Sequence, residues 1–254
     1  MNENTAPVVG LIVPPAHGEV PQDAHLLYGK RETNGHSNNA DRVSFIARGL
    51  GIAAVSPTGF NPVVEHIVGK ACELRDAGAI AISLMGTSIS FYRGHAFTED
   101  LRAAMQQATG LPCTTMSHAI VAALKALKIQ RVAVATSYID ELNDRLVDYL
   151  SFAGFEVTAI HGLNLSGVQE IGEVSPQTLL SLADSAYQQD PTADGIFISC
   201  GGLLTHPVIE PLEAKYGLPA TASSPAGFWD VMRVAGLDAS AEGFGRLFRT
   251  ASMA

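Results

Sequence analysis

The two halves of this 254-residue chain carry the same succession of short apolar runs, and that repetition limits the fold more than any single motif. Val8-Val9-Gly10-Leu11-Ile12-Val13 is answered by Val132-Ala133-Val134-Ala135, and Gly51–Ser56 by Phe155–Ile160. Ile80-Ala81-Ile82-Ser83 is answered by Ile196-Phe197-Ile198-Ser199, and Leu111-Pro112-Cys113-Thr114 by Leu218-Pro219-Ala220-Thr221. Runs this short and this apolar suit strands buried on both faces, as in a parallel sheet covered by helices. The spacing between matched runs drifts, so the duplication is architectural and not a solenoid repeat. Two similar α/β lobes facing each other are predicted, with one continuous doubly wound sheet as the competing arrangement.

Segments of helical period lie between the runs. Asn61-Pro62 is expected to open a helix as N-cap and first-turn proline, with Gly78 closing it and Val64, Ile67, Val68, Ala71 and Leu74 on its apolar face. Ala79–Met85 is expected as a strand running into a loop that starts with Gly86-Thr87-Ser88. Thr98-Glu99-Asp100 then starts a helix with acids in its first turn, which its dipole favours. Pro112–Met116 is a further strand, followed by a helix from about Ser117 to Leu127. The polar segment Gly29–Asp41 has no periodicity and is expected as a surface loop.

Apolar residues make up 47% of the chain and charged residues 16%, which excludes disorder. The net charge of −9 argues against a nucleic-acid or anionic-membrane partner, though not against a small anionic ligand held at a local cluster of donors. The N-terminal Met-Asn-Glu-Asn-Thr-Ala-Pro lacks the basic region and apolar run of a signal peptide, and every apolar stretch is too short to cross a bilayer. Three widely spaced cysteines, Cys72, Cys113 and Cys200, suggest neither disulfides nor a paired-cysteine metal site. A reducing, cytoplasmic location is therefore expected.

In open α/β sheets ligands bind beyond the carboxyl ends of the strands. Those ends carry Pro14-Pro15-Ala16, Gly86-Thr87-Ser88, Thr136-Ser137-Tyr138 and Cys200-Gly201-Gly202. Gly86-Thr87-Ser88 offers backbone N–H groups and two hydroxyls where a ligand can approach closely, the composition of an anion nest, and equally that of an ordinary turn. Cys200 is flanked by glycines at an accessible strand end, as a reactive thiol requires; Cys72 on a helix face and Cys113 inside a strand keep the inert role of most cysteines. His206, six residues beyond Cys200, either activates that thiol or is a solvated loop histidine, and the second fits its surroundings better. The chain has no P-loop and no strand–Gly-x-Gly-x-x-Gly–helix unit, and its eight histidines show no metal-ligand spacing, so neither a metal nor an organic cofactor is expected.

Long stretches at these strand ends resemble the aspartate/glutamate racemase superfamily and, within it, the arylmalonate decarboxylases. They include Ile12-Val13-Pro14-Pro15-Ala16, the segment from Ser83-Leu84-Met85-Gly86-Thr87-Ser88 to Gly94, Thr109–Ser117, Ala135-Thr136-Ser137-Tyr138-Ile139-Asp140, Ser199–Thr205 and Ser223–Asp230. The resemblance implies two pseudo-symmetric α/β lobes, each a mainly parallel four-stranded sheet flanked by helices, with the active site in the cleft between them. Residues 1–117 with 226–254 would form the first lobe and 118–225 the second. Racemases and maleate isomerases of this superfamily carry a cysteine on each lobe; here the second-lobe position is Cys200 and the first-lobe position is Gly86. That one-cysteine pattern implies decarboxylation of a disubstituted malonate, with Cys200 protonating the product carbanion. By the same resemblance Thr87, Ser88, Tyr138, Gly86 and the N–H groups of Cys200 and Gly201 would hold a carboxylate. Pro14, Pro15, Ile52, Val55, Phe60, Ile89, Val168 and Ile171 would line an apolar pocket. Phe60 departs from the family's tyrosine and makes the pocket less polar, which bears on substrate range.

Two other classes compete. A cofactor-independent racemase or maleate-type cis–trans isomerase would need a second acid opposite Cys200, where Gly86 offers none. A non-catalytic two-lobed carboxylate-binding protein would not need a glycine-flanked thiol. The expected partner is a small dicarboxylate, and the expected assembly is a monomer or small homo-oligomer.

Overall fold

The computed structural model describes residues 6–29 and 43–250 of the protein, so residues 30–41 of the predicted polar loop lie outside them. Two separate four-stranded parallel sheets form the core, which removes the single continuous sheet from consideration. The first contains β1 (Val8–Val13), β2 (Ser44–Gly49), β3 (Ala81–Leu84) and β4 (Cys113–Thr115), in the order β2-β1-β3-β4. The second contains β5 (Arg131–Thr136), β6 (Glu156–Gly162), β7 (Gly195–Ser199) and β8 (Ala220–Ala222), in the matching order β6-β5-β7-β8. Identical strand order in both sheets is the structural form of the repeat.

One expected strand is misplaced. Gly51–Ser56 is a loop, and the edge strand is Ser44–Gly49, paired with β1 from Val8↔Ser44 to Val13↔Gly49. An edge strand with Arg48 and half-buried positions does not need a continuous apolar run. Gly51 takes φ +74°, a turn conformation natural to glycine. Beyond it the backbone is held by Ile52 N–H to Pro14 C=O (3.0 Å) and Val55 N–H to Ser166 C=O (2.8 Å), the latter tying the two halves together.

The helix expected at Asn61-Pro62 also starts elsewhere. Ser56 caps α2 (Pro57–Phe60), accepting from the Gly59 N–H with Pro57 in the first turn, and Asn61 ends that helix. Asn61 instead accepts hydrogen bonds from Tyr92 Oη (3.0 Å) and Arg93 (2.7 Å). The main helix is α3 (Ile67–Asp76), and Ile67, Ala71 and Leu74 face inward as the period predicts. Gly86-Thr87-Ser88 does not begin a loop: Gly86 leads straight into α4 (Thr87–Phe91), and α5 (His95–Thr109) starts three residues before Thr98.

Two helices join the halves. β4 runs directly into α6 (Met116–Ala126) and β8 into α11 (Ser223–Val234), and these pack on each other along their length. α11 also touches β3, β4, β7 and β8, so it sits on both sheets. Its first turns are buried throughout, from Ser223 to Met232. The carboxyl ends of both sheets thereby face a common space.

Candidate active site

A cavity of about 290 Å³ fills that space. Every site residue expected from sequence lines it: Pro14 and Pro15 after β1; Ile52, Val55 and Phe60 around the first-lobe loop; Gly86, Thr87, Ser88 and Ile89 at β3–α4; Tyr138 after β5; Val168 and Ile171 on α8 (Val168–Gly172); and Cys200 and Gly201 after β7. Its mouth adds His17, Glu19, Val20, Pro21 and Gln22, and its wall Met85, Met116, Gly202 and Ser224, none of which was among the expected pocket residues. The glycine of Cys200-Gly201-Gly202 and the second serine of Ser223-Ser224 were the available signals.

Tyr138 is fully buried and rigidly placed. Its N–H bonds Thr136 Oγ1 (3.1 Å), and Asn143, itself gripped by Thr136 (2.6 Å), donates to its carbonyl (3.3 Å). Phe91 packs edge-on to its ring at 6.0 Å. The phenol accepts from Ser199 Oγ at 3.3 Å, so its own proton is free to be donated into the cavity. The Thr87 and Ser88 hydroxyls also surround it. Burial, reinforced by the Cys200 sulfur nearby, pushes the phenol far above its ordinary range, so it remains a donor at every working pH.

Thr87 is equally telling. Its side chain is buried, and its hydroxyl lies near the Tyr138 phenol without a hydrogen bond of normal geometry to any described residue. Buried polar groups are normally paired, so a hydroxyl left this way on a cavity wall marks a place for a ligand atom. Gly86 caps α4 with extended backbone, leaving the first-turn N–H groups unpaired within the helix.

Cys200 is 6% exposed, at the cavity wall, and its φ is +135°. A non-glycine residue there carries about 1–3 kcal/mol of strain, which persists mainly where the surroundings demand it. Burial pushes the thiol above its ordinary value, while Ser137, the Gly202 N–H and Tyr138 pull in the other direction. The Cys200 N–H donates to Ser223 Oγ at 3.2 Å, which makes the Gly201 N–H the freer of the two expected backbone donors. Cys72 and Cys113 lie elsewhere, the first half-buried beside Ala108 C=O and the second in β4 beside Leu111 C=O. His206 is not on the cavity wall; it opens α10 (His206–Tyr216) and faces Phe244, so it is neither an activator of Cys200 nor a loop residue.

Among the described residues no group of three His, Cys, Asp or Glu side chains is placed to hold a metal ion, and no helix is long and apolar enough to cross a membrane.

The family model for arylmalonate decarboxylase matches residues 9–248. The chain belongs to the arylmalonate decarboxylase family. It is 46% identical to the arylmalonate decarboxylase of Bordetella bronchiseptica over 98% of this chain and 99% of that one. A solved arylmalonate decarboxylase structure, a glycine-to-cysteine and cysteine-to-serine double mutant in the liganded form, superposes with a TM-score of 0.89 at 46% identity, over 95% of this chain and 98% of that chain. The maleate isomerase of Nocardia farcinica is more distant, 25% identical over 95% of each chain. Its solved structure bound to TRIS, 22% identical by that comparison, shares the fold with a TM-score of 0.86 over 98% of this chain and 100% of that chain. Membership of the arylmalonate decarboxylase family makes the protein a carboxy-lyase acting on a small molecule.

Proposed function

We propose that the protein decarboxylates a disubstituted arylmalonate without a cofactor, through an enediolate protonated on one face by Cys200, to give a single enantiomer of a 2-arylcarboxylic acid. The observation that carries this reading is the pairing of one thiol, Cys200, with Gly86 on a cavity that holds the poorly bonded Thr87 hydroxyl. One carboxylate is held by Thr87, Ser88, Tyr138 and the Gly201 N–H. The other lies against Pro14, Ile52, Val55, Ile89, Val168 and Ile171, where it is poorly solvated. Loss of CO₂ removes that badly solvated charge, and the C–C bonding pair passes into the retained carboxylate as an enediolate. Preorganised donors stabilise the charge as it grows. The thiol S–H then breaks as the new C–H forms, and the thiolate regains a proton from solvent. The retained carboxylate accepts the electrons, so no cofactor is required. Phe60, edge-on to Tyr92 at 5.2 Å, keeps that end of the cavity apolar and favours substrates without a polar group there.

The same reading assigns residues 1–117 with 226–254 to one lobe and 118–225 to the other, both divisions falling within α6 and α11. It takes the protein as cytoplasmic and as a monomer or small homo-oligomer. Turnover of phenylmalonate with CO₂ release, followed by chiral analysis of the product from a methyl-substituted substrate, tests the proposal. Absence of CO₂ release would rule it out.

Thr87→Ala and Tyr138→Phe each remove a donor aimed at developing charge and are expected to lower kcat by about 10²–10³. If only KM rises, these groups bind the substrate without stabilising the transition state. The pH profile has a defined sign as well. The protonated thiol is the active form, and burial raises its pKa above the ordinary value of about 8.5. The kcat profile is therefore expected to stay flat through neutrality and fall only as the pH rises through the elevated thiol pKa. A fall beginning below about pH 7 would contradict an acid of this kind.

A further inference from the structure

Ser137 is fully buried, and its hydroxyl lies near the Cys200 sulfur without a hydrogen bond of normal geometry to any described residue. Its backbone is fixed, with the carbonyl accepting from the Leu165 N–H at 2.8 Å. β5 and β7 pair in register up to Thr136↔Ser199, so the next residues, Ser137 and Cys200, emerge side by side from neighbouring strands. A buried hydroxyl without a well-formed hydrogen bond costs stability and calls for a compensating role. The resting thiol is a weak acceptor, whereas a thiolate is a strong one.

We propose that Ser137 is a positioning residue for the proton-donating thiol, its hydroxyl turning onto the Cys200 sulfur as the S–H bond breaks and holding the thiolate until solvent returns the proton. This rests on the reading of Cys200 as the acid. Ser137 does not line the cavity and touches no substrate, so it acts only through the sulfur. The other groups that act on the sulfur are the Gly202 N–H and the Tyr138 phenol; the remaining titratable side chains on the cavity wall are His17 and Glu19, both exposed at the mouth. Among the described residues, no charged side chain therefore stands in for Ser137 at the thiolate.

The test measures the thiol directly. Alkylation of Cys200 by iodoacetamide is followed against pH by mass spectrometry of the peptide that contains it, which separates it from Cys72 and Cys113. In Ser137→Ala the midpoint is expected to rise by about one pH unit, a tenfold weaker hold on the thiolate. The value of kcat should fall about tenfold with KM within about twofold. The melting temperature should stay level or rise, because a poorly bonded buried hydroxyl has been removed. Ser137→Thr keeps the hydroxyl and should keep the wild-type midpoint, although its extra methyl group strains a fully buried position. Ser137→Gly removes the hydroxyl with different packing and must reproduce the shift seen in Ser137→Ala. An unmoved midpoint in both hydroxyl-free variants, or a lower melting temperature with an unmoved midpoint, overturns the proposal. The thiol titration does not depend on turnover. An active Cys200→Ser enzyme would remove the acid role whatever the midpoint does, whereas an inactive one with an unmoved midpoint removes only Ser137.

Discussion

Cys200→Ser is expected to lower kcat by about 10²–10⁴, the contribution typical of a positioned acid, with the fold intact. The replacement is nearly isosteric, so the cavity and its donors stay in place, while a serine hydroxyl is too weak an acid to protonate the enediolate efficiently. The strained φ of +135° remains in that variant, and its melting temperature should remain close to that of the parent. Cys200→Gly separates chemistry from strain. It removes the thiol and, at the same time, the about 1–3 kcal/mol cost of a side chain at that φ, which offsets the lost side-chain contacts. An inactive Cys200→Gly enzyme that melts no lower than the parent would show that the backbone is strained for the sake of the thiol. Cys200→Ser with near-parental turnover, measured as CO₂ release from phenylmalonate, would end the assignment of Cys200 as the acid.

The buried strands were legible in the sequence because a parallel strand covered on both faces must be a continuous apolar run, as in Val8–Val13 and Ile196–Ser199. The edge strand Ser44–Gly49 was not, since half-buried positions tolerate Arg48 and the neighbouring run Ile52–Val55 is more apolar. That run is apolar for another reason: Ile52 and Val55 line the cavity. The same competition misplaced α2, where Ser56-Pro57 and Asn61-Pro62 are equally good start signals and only tertiary contacts, the bonds Asn61 accepts from Tyr92 and Arg93, choose between them. The cavity residues were legible chiefly through the family resemblance, which supplies spatial neighbours that one-dimensional patterns lack. The bond between the Cys200 N–H and Ser223, and the placing of Ser137 beside Cys200, join strand ends far apart in the chain, so no local pattern announces them.

Gly86→Cys combined with Cys200→Ser is expected to reverse the handedness of the product, because the remaining thiol then approaches the planar enediolate from its other face. Gly86→Cys alone, with a thiol on each face, should racemise the 2-arylcarboxylic acid through the same enediolate, whereas the unmodified enzyme is expected to leave that acid unchanged. The structure adds a packing condition to both results. Gly86 has φ −121°, a conformation open to any residue, but a Cβ placed there would lie 2.5 Å from Ile89 Cγ2 and 3.7 Å from Pro14 Cγ. Ile89 is fully buried, so its branched side chain has little room to withdraw, and both new enzymes are expected to be slow. Ile89→Leu removes the Cγ2 branch while conserving volume, and should restore part of the rate in the double variant without affecting the handedness of the product. Chiral chromatography of the acid formed from a prochiral methyl-aryl-malonate, corrected for spontaneous decarboxylation, checks each step. The opposite enantiomer from the double variant, formed faster with Ile89→Leu, is the expected result; unchanged handedness would mean that the proton reaches the enediolate from a group other than the thiol.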